Sequence, residues 1–186
     1  MTREQLLERS RQRPILLVFL RHLGCTFCRE TLADISRRRR DIAKLGADIV
    51  LVHMADPQQW EGFIRRYGLQ DVTAIHDPGK ELYRAFGLRR GTLRQLFGLR
   101  VWLRGIAAGI FRGHGLSIPR QDPWQMPGVF VLKDGKITAA YRHRYVSDRP
   151  HYVGLVCEGC GLPGMNALNP ASENPLPGTR ARVAPS

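Results

Sequence analysis

Residues 15–28 read ILLVFLRHLGCTFC, an apolar run that leads through a short loop into two cysteines separated by two residues. The apolar run follows Pro14, and a short run of this kind is typical of a buried strand. From Cys28 to Leu45 apolar residues recur at helical spacing, and Gly46 is well placed to end a helix. The order of strand, loop, cysteine pair and helix therefore puts both sulfur atoms at the start of a helix.

This position favours thiol–disulfide chemistry at Cys25 and Cys28. The first amide groups of a helix have no partner within it and carry a partial positive charge, so they stabilise a thiolate and lower its pKa from about 8.5. Arg21 and His22 add positive charge nearby. We expect Cys25 to be the more exposed, attacking thiolate and Cys28 to be the more buried thiol that resolves the mixed disulfide. Half of a zinc site is the rival interpretation of this spacing.

Further strands and helices alternate along the chain. We expect helices at 57–67 and 80–86 and strands at 47–53, 72–75, 128–132 and 137–145, the last two joined by an Asp-Gly turn. Such alternation is typical of βαβ units. The sequence therefore predicts an α/β fold with a central mixed sheet flanked by helices, and the cysteine pair after a strand predicts a thioredoxin-like version of it.

We expect one domain over residues 1–161, with a helical insertion at 88–124 before the late hairpin and a disordered tail at 162–186. The insertion is rich in arginine and large apolar residues. It either packs on the core or lies on a membrane or over an active site. No run of about 18 uncharged apolar residues exists, and the charged N-terminus lacks the apolar stretch of a signal peptide, so we expect a cytoplasmic protein without a membrane span.

The chain is strongly basic, with 29 Lys and Arg against 16 Asp and Glu and a net charge of +13. Basic chains can bind nucleic acid, but the aromatic residues are not interleaved with the basic ones as a base-stacking surface requires. A solvated basic surface is the preferred interpretation, and nucleic-acid binding is the alternative.

Arg39 falls near the apolar side of the helix after Cys28, so it must extend to solvent along the surface, or the helix must bend.

Three segments resemble the peroxiredoxin-like AhpC/TSA branch of the thioredoxin superfamily, which includes selenoprotein L-related redox proteins. These are residues 18–30 (VFLRHLGCTFCRE), 81–88 (ELYRAFGL) and 125–132 (QMPGVFVL). The resemblance covers roughly residues 10–150. It implies a thioredoxin-like fold, a redox-active cysteine pair and an antioxidant role. A thiol reductant such as thioredoxin or glutathione and a disulfide or hydroperoxide substrate would be the partners, with no cofactor and no metal.

One departure from the peroxiredoxin pattern leaves the roles of the cysteines open. Peroxiredoxins carry Pro-X-X-X-Thr-X-X-Cys around the peroxide-reactive cysteine. Aligned on Cys28, this chain has Cys25 in place of the threonine and no proline four residues earlier. Under that alignment Cys28 is the peroxide-reactive thiol.

Met126 and Pro127 stand directly before the late hairpin. In a thioredoxin-like domain a cis proline at this place packs against the disulfide, and the residue before it presents its backbone to the bound partner. A trans proline at the start of an edge strand is the alternative.

A second pair, Cys157 and Cys160, follows the last predicted strand, outside the family resemblance. Three interpretations are open. The pair is an auxiliary redox pair on a flexible segment that passes electrons to Cys25 and Cys28, or it joins them in a four-cysteine zinc site, or it has no role.

Overall fold

The computed structural model describes residues 1–92 and 122–163. Most of the insertion predicted at 88–124 and nearly all of the tail predicted at 162–186 lie outside these residues. The elements in chain order are α1 Arg3–Gln12, β1 Ile15–Phe19, α2 Thr26–Lys44, β2 Asp48–His53, α3 Pro57–Arg65, β3 Thr73–His76, α4 Glu81–Ala85, β4 Gly128–Lys133, β5 Lys136–Arg142 and α5 Tyr152–Cys160.

The sheet has five strands in the order β3-β2-β1-β4-β5. The pairs β1–β2 and β2–β3 are parallel, whereas β1–β4 and β4–β5 are antiparallel, so the predicted mixed sheet is confirmed. Asp134 and Gly135 both have positive φ, 51° and 73°, as a primed hairpin turn between β4 and β5 requires. The central strand β1 is buried along its whole length and delivers the chain to the cysteine segment.

Two apolar cores lie on opposite faces of this sheet, because successive side chains of a strand point to opposite sides. Leu16 and Val18 of β1 pack in the core beneath α2, α3 and α5, which also contains both cysteines of the first pair. Ile15, Leu17 and Phe19 pack in the other core with α1 and α4. The helices therefore flank the sheet on both sides, as predicted.

The sequence analysis predicts no element between the last strand and the tail, whereas the structure forms the helix α5 there. It buries Val153, Val156 and Cys157 against β4, β5 and α2. A Cβ on Gly159 would lie 2.6 Å from Val131, so glycine at this position lets the helix approach β4 closely. The apolar spacing and Gly161, whose φ is 67° at the C-cap, were the available sequence signals.

Three arginines of α2 form ion pairs with nearby acids: Arg37 with Asp34, Arg38 with Asp41 and Arg39 with Asp71. Arg39 extends along the surface, and its guanidinium donates to Asp71 (2.7 and 3.0 Å) and to the Gly68 carbonyl (2.7 Å). The expected extension of Arg39 is therefore confirmed.

Among the described residues, none of the helices combines the length and the apolar character needed to cross a bilayer.

Candidate active site

Cys25 occupies the N-cap of α2. The loop after β1 closes when the Cys25 N–H donates to the His22 carbonyl (3.0 Å), and the Cys25 carbonyl accepts the first helical bond from Arg29 N–H (3.1 Å). Side chains of serine, threonine or aspartate usually cap this position. Here the thiol stands at the positive end of the helix, as the spacing predicts, and Cys28 lies in the first turn.

Arg21 contacts both sulfur atoms. Its backbone N–H donates to Cys28 Sγ (3.2 Å), and its Nη1 donates to Cys25 Sγ (3.3 Å). Both thiols are buried, with 6% of Cys25 and 4% of Cys28 exposed. Cys25 is the more exposed of the two, as expected, but by so little that burial does not distinguish the two thiols.

The difference between the two cysteines is electrostatic. A hydrogen bond from the Cys28 thiol holds the pKa of Cys25 well below its ordinary value against the opposing effect of burial, and the charges of Arg21 and His22 lower it further. The same hydrogen bond, together with burial, raises the pKa of Cys28. The arrangement favours a thiolate on Cys25 and a protonated thiol on Cys28.

Two buried residues that sequence analysis did not single out hold the segment that carries Arg21. The Gln125 carbonyl accepts from Arg21 Nε (2.9 Å), and the Gln125 side-chain amide donates to the carbonyls of Leu88 (3.2 Å) and Met126 (3.3 Å). The Tyr83 hydroxyl donates to the Leu20 carbonyl at the end of β1. No local sequence pattern assigns Gln125 or Tyr83 the role of holding this segment, because both act through contacts with residues that are distant in the chain.

His22 lies beside the cysteine pair and is 8% exposed. Burial lowers its pKa, with the nearby Cys25 charge acting in the opposite direction. Its Nδ1 is buried without a hydrogen-bond partner among the described residues.

Met126 and Pro127 reach the site, but the peptide bond between them is trans, so the predicted cis proline is wrong. The trans isomer is the intrinsically favoured one. The segment before β4 is held extended by antiparallel pairing with residues 89–91: the Met126 N–H donates to the Arg89 carbonyl (3.2 Å), and Gly91 N–H donates to the Trp124 carbonyl (2.7 Å). Extended backbone before a proline is the conformation that sterics favour.

A small cavity lies against Cys28. Its volume is about 10 Å³, which is room for about one water molecule. Side chains with polar atoms that line it are Arg21, Cys28, Thr31, His143 and Tyr152, and Pro127 forms part of the apolar wall.

The second cysteine pair is helical and lies near the C-terminal end of α5. Cys157 is 1% exposed, so the flexible segment that a shuttle requires is not observed. Burial raises the pKa of Cys160, and a helix C-terminus disfavours a thiolate. Within residues 1–92 and 122–163 no group of three or more His, Cys, Asp or Glu is placed to hold a metal ion, so the structure does not form a four-cysteine zinc site.

The fold agrees with the comparisons to known proteins. A family model described as AhpC/TSA antioxidant enzyme matches residues 34–147, and the chain belongs to this family. The match begins after Cys28, so the roles of the two cysteines rest on the geometry above.

Solved peroxiredoxin structures share the fold. The bacterioferritin comigratory protein of Xanthomonas campestris has a TM-score of 0.58 at 14% identity, covering 83% of this chain and 82% of that one. Peroxidoxin BcpB of Mycobacterium tuberculosis has a TM-score of 0.58 at 15% identity, covering 86% of each chain. These likenesses confirm the thioredoxin-like fold.

Two curated relatives are both named peroxiredoxin-like 2C. The human protein is 26% identical over 82 residues, and the Bos taurus protein is 25% identical over 136 residues. The matches span 44% and 69% of this chain, and only 36% and 59% of the length of those relatives.

Proposed function

We propose that the chain is a thiol-dependent oxidoreductase in which Cys25 and Cys28 cycle between dithiol and disulfide. The observation that carries this proposal is the position of Cys25: it caps α2, it accepts a hydrogen bond from the Arg21 guanidinium (3.3 Å), and its neighbour Cys28 lowers its pKa. Three sources of positive potential or hydrogen bonding thus stabilise one sulfur as an anion. Membership in the AhpC/TSA family supports the redox class.

The first step is attack by the Cys25 thiolate on an oxidised substrate. With a disulfide, a Cys25 mixed disulfide forms and the partner leaves as a thiolate. With a hydroperoxide, the O–O bond breaks, Cys25 becomes a sulfenic acid and the alcohol leaves after taking up a proton. Arg21 and the amides at the start of α2 hold the thiolate in place for either reaction.

The second step is attack by Cys28 on the oxidised Cys25. A Cys25–Cys28 disulfide forms, and the bound partner leaves as a thiolate, or the sulfenic oxygen leaves as water. A thiol reductant such as thioredoxin or glutathione then returns the pair to the dithiol state. Pro127, which lines the cavity with Cys28, and Met126, which packs against Phe27 between the two cysteines in sequence, would border the bound substrate.

The alternative is that Cys28 reacts first with peroxide, as the alignment with peroxiredoxins implies. Its raised pKa favours the protonated thiol, which is the weaker nucleophile, so we assign the first attack to Cys25.

Mass spectrometry of trapped thiols tests the assignment. The reduced full-length chain is treated with one equivalent of hydroperoxide or of a small disulfide in the presence of dimedone, which captures sulfenic acids. We expect a Cys25–Cys28 disulfide in the unmodified protein, a Cys25 adduct in Cys28→Ser, and no reaction of either residue in Cys25→Ser. Cys160→Ser is the matched control and should behave as the unmodified protein.

A dimedone adduct on Cys28 while Cys25 stays reduced would transfer the first attack to Cys28. If neither thiol is oxidised by either reagent, the proposed cycle is wrong.

A further inference from the structure

The proposed cycle requires Cys28 to lose a proton at its second step. In the dithiol state the Cys28 thiol is protonated and donates to Cys25, and burial further raises its pKa. Once Cys25 carries a partner, that acceptor is no longer an anion, and Cys28 must become a thiolate to attack. A proton acceptor within reach of Cys28 would therefore increase the rate of disulfide closure.

The cavity against Cys28 is where such an acceptor can act. Of the polar side chains that line it, Arg21 contributes a guanidinium, which offers hydrogen-bond donors and no acceptor. Thr31 and Tyr152 contribute neutral hydroxyl groups, and burial raises the pKa of Tyr152. Among the described residues that line this cavity, His143 is the histidine, and the imidazole of a histidine commonly accepts protons near neutral pH.

The other bases on the same face of the fold lie outside this cavity. Glu30 and Asp34 lie on α2 after Cys28, but they do not line the cavity. Arg149 holds both of them, with two hydrogen bonds to Asp34 and a contact of 3.6 Å to Glu30. His22 is beside Cys25 and does not line this cavity either.

The placement of His143 suits a proton acceptor. It directly follows β5, and its ring packs edge-on against Tyr141 with centroids 5.2 Å apart and planes at 89°. The residue is half-buried, so a proton that it accepts from the cavity can pass on to solvent. The charged and titratable groups around the cavity are Arg21 after β1, Cys28 on α2 and Tyr152 on α5, with Arg149, Asp34 and Glu30 acting on Tyr152.

We propose that His143 accepts the Cys28 proton, through a water molecule in this cavity, as Cys28 attacks the mixed disulfide on Cys25. The step is balanced: the Cys28 S–H bond breaks, the Cys25–Cys28 bond forms, the partner sulfur leaves with the electron pair of its broken bond, and His143 becomes an imidazolium. This inference rests on the proposed function, because it concerns the second step of that cycle.

Reaction with the aromatic disulfide DTNB separates the two steps. The full-length reduced chain, carrying Cys160→Ser to remove the half-exposed thiol of α5, is mixed with DTNB, and release of the coloured thiolate is followed in time. The first equivalent reports attack by Cys25, and the second reports closure by Cys28. The rates of both phases are measured as a function of pH for His143→Gln and His143→Asn, with His76→Gln as the matched control on the opposite edge of the sheet.

We expect both His143 variants to keep the first-phase rate and to slow the second phase at least about tenfold at neutral pH. In these variants the second-phase rate should rise in proportion to hydroxide and approach that of the parent protein at high pH. Added imidazole should restore the second phase in His143→Gly, whereas His76→Gln should change neither phase.

Equal second-phase rates and pH profiles in the parent and the His143 variants would overturn the role of His143. Loss of both phases together in every His143 variant would show a structural role instead and would also overturn it. Failure of the parent protein itself to release a second equivalent, by contrast, would reject the Cys25–Cys28 cycle and not only the role of His143.

Discussion

At the scale of single residues, Arg21 joins the two cysteines to the rest of the fold. It is 6% exposed, and one guanidinium contacts Cys25 Sγ and the carbonyls of Gln125 and Pro123. A buried guanidinium needs such partners, and the Cys25 sulfur and the two carbonyls supply them. The same side chain thus contacts the Cys25 sulfur and attaches the loop after β1 to the segment before β4.

Replacing this side chain with an uncharged one of similar length should make Cys25 less acidic. In Arg21→Met we expect the pKa of Cys25 to rise, because a stabilising charge 3.3 Å from the sulfur is removed. A loss of about 1.4 kcal/mol would move the inflection by about one pH unit. The rate of iodoacetamide alkylation against pH measures it: the inflection of the unmodified protein should lie well below 9, and that of the variant should lie higher.

Arg29→Met is the control for this change, because Arg29 lies near the pair in sequence but places its guanidinium over Phe63, 6.0 Å from the ring centroid. Its inflection should match that of the unmodified protein. An unchanged inflection in Arg21→Met would show that the helix start and Cys28 alone determine the acidity of Cys25.

At the scale of elements, the two cysteine pairs occupy opposite ends of their helices. Cys25 and Cys28 stand at the N-terminus of α2, whereas Cys160 ends α5, where the partial charge of the helix is negative. The same four-residue spacing therefore has opposite electrostatic consequences, and only the first pair is placed to favour a thiolate.

The helices α2 and α5 are joined by an ionic contact in addition to apolar packing. Glu30 and Asp34 of α2 are 4% and 5% exposed, and Arg149, just before α5, binds both. Arg149→Met leaves two buried carboxylates without this partner, so we expect the free energy of unfolding to fall by about 2–4 kcal/mol. Urea denaturation measures the change.

Arg37→Met is the matched control, since Arg37 also contacts Asp34 but its side chain is 62% exposed. It should lose less than about 1 kcal/mol. Adding Asp34→Asn to Arg149→Met should recover part of the lost stability. Equal losses of unfolding free energy in Arg149→Met and Arg37→Met would contradict the interpretation that the more buried Arg149 contact contributes more to stability.

At the scale of the whole molecule, a buried histidine should make stability depend on pH. His53, at the end of β2, is 4% exposed, its ring stacks on Trp60 with centroids 3.9 Å apart, and its Nδ1 is without a hydrogen-bond partner among the described residues. Burial lowers its pKa to about 4, from an ordinary value of 6.5. The unfolded chain therefore binds this proton at a higher pH than the folded chain does.

Because the folded chain binds this proton more weakly, the contribution of His53 to the free energy of unfolding is fully present above pH 6.5. It decreases as the pH falls from 6.5 to 4 and does not change further below pH 4. Between pH 7 and pH 5 the loss from His53 should be about 2 kcal/mol. His53→Phe keeps an aromatic ring on Trp60 and removes the titration, so its loss over that interval should be smaller by this amount. Urea denaturation at both pH values compares the two proteins, and parallel losses would show that His53 is not responsible.

The mixed sheet, the flanking helices α2, α3 and α4, and the cysteine pair at the start of α2 could all be predicted from the sequence alone. These follow from local patterns: a buried strand after Pro14, helical spacing after Cys28, and an Asp-Gly turn between β4 and β5. Each pattern acts within one or two elements, so it can be recognised without knowing what packs against it. The family resemblance is confirmed over residues 34–147, which include the quoted segments 81–88 and 125–132 but not 18–30.

The nearly complete burial of Cys25, the trans bond before Pro127 and the partners of Arg21 could not be predicted from the sequence. Each depends on residues distant in sequence: Gln125 and Pro123 accept from Arg21 across about a hundred positions, and His143 lines a cavity with Cys28 only because β5 lies beside β4 and β4 beside β1. Burial and electrostatic fields are sums over such neighbours. No local pattern contains these sums, and they are what favour a thiolate on Cys25 and a protonated thiol on Cys28.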